Sequence, residues 1–257
     1  MDLKDGNTGT DSSSNSNNWT VGGGTGIISK TEDSPSNVFA TLNSLDNPYV
    51  GQIATFSNGN TTGQSTETGH LSGASTIGVS TGKYYVEIKP TNGNVLYSGI
   101  GVMTDPINSL GSTPIHDSGK LYGIRGNGTK ITGSSTTSSW SGSYTTNDIL
   151  GLALDLDNNR LYISKNGQYA DGSGNFDEAF TGSPAYVTLA SNQTYFFVGG
   201  SLSTGSGHYL TIQTNFGNGY FGTTAVSSAG SNASGNGIFE HDVPTNYTAL
   251  STKGLNL

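Results

Sequence analysis

Apolar side chains in this chain come in short alternating runs separated by turn residues, the pattern of half-buried strands. In Lys83–Pro90 (KYYVEIKP), Tyr84, Val86 and Ile88 fall on one face and Tyr85, Glu87 and Lys89 on the other, as a period of two requires. Pro90 and the pair Asn92-Gly93 are expected to close that strand and turn the chain. Val95–Met103 (VLYSGIGVM) returns as a strand in which Gly99 and Gly101 predict close approach of another backbone. Leu121–Arg125 reads as a short strand, and Asp148–Leu156 (DILGLALDL) as an apolar run typical of a strand buried on both faces. Asp157-Asn158-Asn159 turns the chain into Arg160–Gln168, and Asn166-Gly167 makes another tight turn. After Pro184 come YVTLA, then Thr194–Gly200 and His208–Gly217.

Between these runs the chain is less regular. Ile27 to Phe56 has apolar positions broken by Pro35, Pro48 and several Asn, which suits short strands and turns. Thr55–Ser80 is Ser/Thr-rich and reads as edge strands or a long loop, and Gly126–Tyr144 as a Ser/Thr/Gly loop carrying Trp140. Turn signals between short runs predict a two-sheet antiparallel β-sandwich of about a dozen strands, all-β in class. Residues 1–26 form an extended N-terminal arm in this reading, 27–222 the sandwich, and 223–257 a segment packing back on the sandwich or on a neighbour.

Composition narrows the function. Gly fills 39 of 257 positions, about 15 % where ~7 % is usual, which argues against helices. Hydrophobic content is only 32 %, yet 13 Tyr and 9 Phe can build a core from few positions. The net charge of −8, with no Lys/Arg cluster, leaves nucleic acid without the cations it would need. The absence of Cys excludes disulfides, thiolate zinc sites and a Cys nucleophile. No run approaches the length of a membrane span and no signal-like apolar stretch opens the chain, so no membrane insertion is expected.

Six segments stand in the order found in the SPRY domain, a sandwich of the concanavalin A-like group. They are Gly82–Ile88, Ile100–Val102, Asp148–Asp157, Leu161–Gly167, Tyr195–Ser201 and Thr214–Gly217. The flanks Asp11–Trp19, Asp33–Asn47, Phe56–Asn60 and Val243–Leu257 resemble segments around SPRY-type domains in virion proteins of marine bacteriophages. This resemblance implies a non-enzymatic structural protein of a phage particle. Lacking an attachment domain and shaft, the chain fits a knob, appendage or decoration protein on head or tail better than a complete tail fibre. Its implied partners are other virion proteins, copies of itself in a homo-oligomer, and host surface glycan. A lectin-like tail-fibre adhesin is the alternative, and a depolymerase a third reading.

Catalytic chemistry has little to stand on. A glycosidase needs two carboxylates at a set separation, but Glu87 is followed by Ile88, Lys89 and Pro90. Asp155 and Asp157 share a strand face where a hairpin turn is expected, so turn capping accounts for them. The same stretch lacks the oxygen ligands of a calcium loop, and His70, His116, His208 and His241 stand far apart. No catalytic residue, metal or cofactor is assigned. The glycan-binding candidates are Trp140, Tyr144 and Tyr169, aromatics among Ser, Thr and Asn that could stack on a sugar, with core anchoring of Trp140 as the competing reading. Trp19, Tyr220 and Phe221 are the assembly candidates.

Overall fold

Strands form where the alternating runs stand, and they stop where Asn or Gly takes a left-handed backbone. Asn58 and Asn166 have φ of 53° and 51°, and Gly59 and Gly167 follow them at 64° and 85°, the twist that tight hairpin turns require. The computed structural model describes residues 33–45, 54–65, 72–104, 119–133, 135–137, 140–180, 184–201 and 207–256, with Asn15 and Asn17. Trp19 and nearly all of the expected arm at 1–26 lie outside these residues, as do His70 and His116.

In chain order the strands are β1 Thr55–Ser57, β2 Thr62–Gln64, β3 Gly73–Ala74, β4 Lys83–Gly93, β5 Ser98–Thr104 and β6 Leu121–Arg125. Next come β7 Lys130–Thr132, β8 Ser135–Thr137, β9 Leu150–Asp155, β10 Arg160–Lys165, β11 Gln168–Ala170 and β12 Phe176–Glu178. The last six are β13 Tyr186–Thr188, β14 Tyr195–Ser201, β15 Leu210–Asn215, β16 Tyr220–Phe221, β17 Thr224–Ala225 and β18 Thr248–Ala249. The larger sheet runs β1-β2-β15-β4-β9-β10-β11-β12, with β13 beside β10 and β18 beside β4. The smaller runs β3-β14-β5-β6-β7-β8, and β16 and β17 form a separate hairpin. All these pairings are antiparallel except the parallel contact of β18 with β4.

The protein is therefore a two-sheet antiparallel β-sandwich, and the six segments quoted above lie in or end its central strands β4, β5, β9, β10, β14 and β15. Its two inner faces meet in one core, with Val86, Ile88, Leu152 and Ile163 from the larger sheet and Ile100, Val102, Ile124 and Phe197 from the smaller. At Gly199 of β14 the sheets interlock, because a Cβ there would stand 2.9 Å from Ile212 Cδ1 of the facing sheet. The close approach expected at Gly101 is present: a Cβ would lie 2.0 Å from the Tyr122 carbonyl oxygen of β6.

Two local readings change, and one is resolved between its two alternatives. β4 does not end at Pro90 but runs on to Gly93. Its ladder with β9 stops at Ile88–Leu150, and its pairing with β15 shifts register at Thr211/Ile212, so Pro90 sits where a missing N–H costs the ladder little. The loop at 126–144 contains the hairpin β7–β8, which extends the smaller sheet to its edge. Thr55–Ser80 supplies β1 and β3, one at an edge of each sheet.

The outer face of the larger sheet is covered as well. Strand register lines up Tyr85 with Ala153 and Tyr162, and Glu87 with Gly151 and Ser164, on the face opposite the inter-sheet core. Tyr85, Glu87 and Ser164 are fully buried. Phe239 from the C-terminal segment meets the Tyr85 ring edge-on at 5.0 Å, and Tyr247 meets Phe180, which in turn packs on Tyr162 and Tyr169. Residues 238–250 thus act as a strap over a sheet face that would otherwise be wet.

Candidate functional site

The glycan-binding candidates Trp140, Tyr144 and Tyr169 are inside the molecule. Trp140 is 5 % exposed. Residues 141–142 run beside 173–174, with Ser141 N and Gly142 N donating to the Ser173 and Gly174 carbonyls at 3.1 and 3.0 Å. Gly174, at φ +85°, lies so close that a Cβ would be 2.3 Å from Trp140 Cβ, and Lys130 Nζ stands 5.2 Å from the indole ring. Tyr169 is buried edge-on against Phe180 at 4.9 Å. Tyr144 is 1 % exposed, and its hydroxyl sits 2.7 Å from Ser98 Oγ; burial pushes that hydroxyl well above the usual phenol range. Their rings are committed to packing, and a buried ring has no face for a sugar. Phe221 is likewise buried, with Lys89 Nζ 5.7 Å from its ring, while Tyr220 is half-buried.

The carboxylates do not converge on a reaction centre either. Asp155 accepts from Asn158 N and Nδ2 at 3.1 and 2.9 Å and pairs with Lys83 Nζ at 3.0 Å. Burial alone would raise its carboxyl, but the Asn158 and Lys83 bonds outweigh it and hold the group below the usual range. Asp157 accepts from Gly82 N at 3.0 Å. Among the described residues no group of three or more His, Asp or Glu side chains is arranged to hold a metal ion. Glu87 stands apart: Oε1 accepts from His241 N and the Tyr85 hydroxyl at 2.9 and 3.3 Å, and Oε2 from Glu240 N and Asn215 Nδ2 at 2.9 and 3.1 Å. Burial pushes its pKa up to about 7 against those four donors. Its four bonds fasten the strap to the sheet.

An open groove of about 540 Å³ does form where β4 ends. Gly93 makes the bend at φ +106°, and a Cβ there would lie 2.0 Å from the Tyr209 carbonyl oxygen, so this position requires Gly. A 3-10 turn at Val95–Tyr97 follows. Ser98 Oγ donates to the Val95 carbonyl at 2.6 Å and touches the Tyr144 hydroxyl, so buried Tyr144 props the turn from below. The turn holds Leu96 and Tyr97 outward, 59 % and 40 % exposed. Tyr97 stacks on His208 with ring centroids 4.2 Å apart and planes 28° from parallel.

Asn92, Asn94, Thr145, Thr146 and Tyr209 line the groove with amides and hydroxyls, and among the described residues no lining side chain carries a charge. The carboxylate behind it, Asp148, is occupied by Thr145 N, Thr145 Oγ1 and Asn166 Nδ2. Such a surface offers an aromatic plate beside neutral donors and acceptors, which suits an uncharged, hydroxyl-rich ligand. Sequence reasoning missed Tyr97, His208, Asn92 and Tyr209. Reading Val95–Met103 as one strand concealed Tyr97, because Val95–Tyr97 is a 3-10 turn and the strand begins only at Ser98.

No family model matches this chain, and no curated protein matches it. Among solved structures it is similar to the SPRY domain of human HERC1, at 12 % identity over 71 % of this chain and 95 % of that one, with a TM-score of 0.43. It is similar also to the TRIM65 PSpry domain, at 13 % identity over 69 % and 92 % of the two chains, again with a TM-score of 0.43.

Proposed function

We propose that this protein is a non-enzymatic SPRY-type binding module on the surface of a bacteriophage particle, a knob or decoration protein that contacts neutral host glycan through the groove at the end of β4. The observation that carries the binding reading is the groove whose described lining side chains are uncharged, with the stacked Tyr97 and His208 rings on residues adjacent in the chain to that lining. The resemblance of the flanking segments to phage virion proteins supports the setting. The partners in this reading are the surrounding head or tail proteins, further copies of this chain, and host glycan.

Host-cell or glycan-array binding by the purified protein tests the groove. Tyr97→Ala weakens attachment about tenfold, the worth of one stacked ring, and leaves the melting temperature unchanged because the ring is 40 % exposed. Attachment should also persist as salt is raised, since no charge lines the site. Unchanged attachment in Tyr97→Ala sinks the groove as the contact. Failure of mass spectrometry to find this chain in purified virions sinks the setting. Antibody label on intact particles separates a decoration protein on the head from an adhesin on the tail.

A further inference from the structure

A second, smaller pocket forms at the other end of β15. That strand begins at Leu210, next in the chain to the groove residue Tyr209, and ends at Asn215. Beyond it, Asn218 and Tyr220 meet Asn58 and Thr61 of the β1–β2 turn and the segment 33–41, which brings Asp33 and Phe39. Together they enclose about 160 Å³. Pockets for drug-sized ligands measure roughly 300–1,000 Å³, so this one suits the tip of a single side chain rather than a saccharide.

Its hydrogen-bonding groups are unevenly used. Asn58 Nδ2 already donates to Thr62 Oγ1, and the Thr61 hydroxyl to the Asn58 carbonyl. Asp33 Oδ1 accepts from Phe39 N at 2.7 Å, but no described residue donates to Asp33 Oδ2 or to Asn58 Oδ1. Asn218 decides the chemistry: the residue is 7 % exposed, and its Oδ1 is buried with no hydrogen-bond partner. A buried acceptor without a donor is costly and rare in a folded chain. What the pocket lacks is a donor. No Lys, Arg or His stands in the described lining, and Asp33 supplies a carboxylate.

We propose that this pocket takes the ammonium head of a lysine side chain presented by a basic partner protein. An ammonium has three N–H donors and no acceptor, as many donors as the lining has oxygens without one. Its charge suits the Asp33 carboxylate, and Phe39 and Tyr220 in the wall offer apolar surface to the methylene stem. A divalent cation such as calcium asks for six to eight oxygen ligands, more than one carboxylate and two amide oxygens provide. Copies of this chain, each with a net charge of −8, repel one another, which favours a basic partner over self-association here. Tyr220, an assembly candidate by sequence, thus stands at a contact with another protein. The site is separate from the groove and does not rest on the glycan reading.

The test is an NMR titration of the isotope-labelled full chain with the capped peptide acetyl-Gly-Lys-Gly-amide. The backbone amides of Asn58, Thr61, Asn218 and Tyr220 shift, and the same peptide with an acetylated lysine side chain, at equal concentration, moves none of them. Asp33→Asn keeps an Oδ1 acceptor for Phe39 N and removes the charge. It weakens peptide binding about tenfold, the worth of one charge-assisted hydrogen bond, and leaves the melting temperature unchanged. Tyr97→Ala, in the other site, leaves the titration as it was. Equal shifts with the acetylated peptide, shifts confined to other residues, or no shift at millimolar peptide overturn the proposal. If calcium chloride moves these amides and the lysine peptide does not, the pocket is an ion site and the proposal is wrong. Loss or retention of glycan attachment bears on the groove alone, so the two readings fail separately.

Discussion

Glu87→Ala lowers the melting temperature by about 10 °C. The residue is fully buried, and its carboxyl accepts from two strap amides, Glu240 N and His241 N, as well as from Asn215 and Tyr85. Truncation takes the acceptor from all four donors. Each buried donor left without a partner costs about 1–3 kcal/mol, so a loss of at least about 3 kcal/mol follows even after local rearrangement. Thermal or denaturant unfolding checks it. A shift within about 2 °C would mean that the strap holds by its apolar contacts alone.

The same carboxyl gives stability a pH dependence with a definite sign. Its folded pKa of about 7 stands above the ordinary 4.5 because burial disfavours the charge, so the folded chain keeps the proton longer than the unfolded one. That contribution is complete below pH 4.5 and is lost as the pH rises through about 7. Stability near pH 5 should exceed that near pH 8 by a Glu87 contribution on the order of 3 kcal/mol. Glu87→Gln carries no titrating group there and flattens this part of the profile. An unaltered profile in Glu87→Gln would assign the dependence to other groups.

Trp140→Ala destabilises the fold by about 3–5 kcal/mol, the usual result of emptying a large aromatic site. The ring is 5 % exposed and lies under Gly174, with the 141–142 backbone bonded to 173–174. Removing it opens a cavity at the edge of the core and frees two loops together. This outcome separates the anchoring role from a sugar-stacking one by a single comparison. Loss of thermal stability in Trp140→Ala beside unchanged stability in Tyr97→Ala is the pattern the burial of the two rings requires. A Trp140→Ala chain that melts normally but attaches poorly would reverse the assignment.

The sequence left both readings of Trp140 open for a physical reason, and burial bears out the anchoring one. Its neighbours Ser138, Ser139, Ser141 and Gly142 give no apolar period, so nothing local says that the ring is covered. The cover is a glycine from another loop, and a residue without a side chain leaves no hydrophobic signature. Glu87 is a similar case. Period-two alternation puts it on the second face of β4, but the segment that buries this face, around Phe239 and Tyr247, has no strand periodicity to announce it. The groove was illegible for another reason. Tyr97 and His208 are far apart in the chain, and they stack only because β4 and β15 pair up to Leu210–Gly93.

The sandwich is legible locally: alternation at Lys83–Ile88, the apolar run of β9 and the Asn-Gly turn at 166–167 each fix local backbone geometry, and together they specify the central strands. Which side chains are free to act is settled by packing between remote segments. Exposure depends on chain segments remote in sequence, and no local pattern records that Gly174 closes over Trp140, that the strap closes over Glu87, or that Tyr97 remains uncovered.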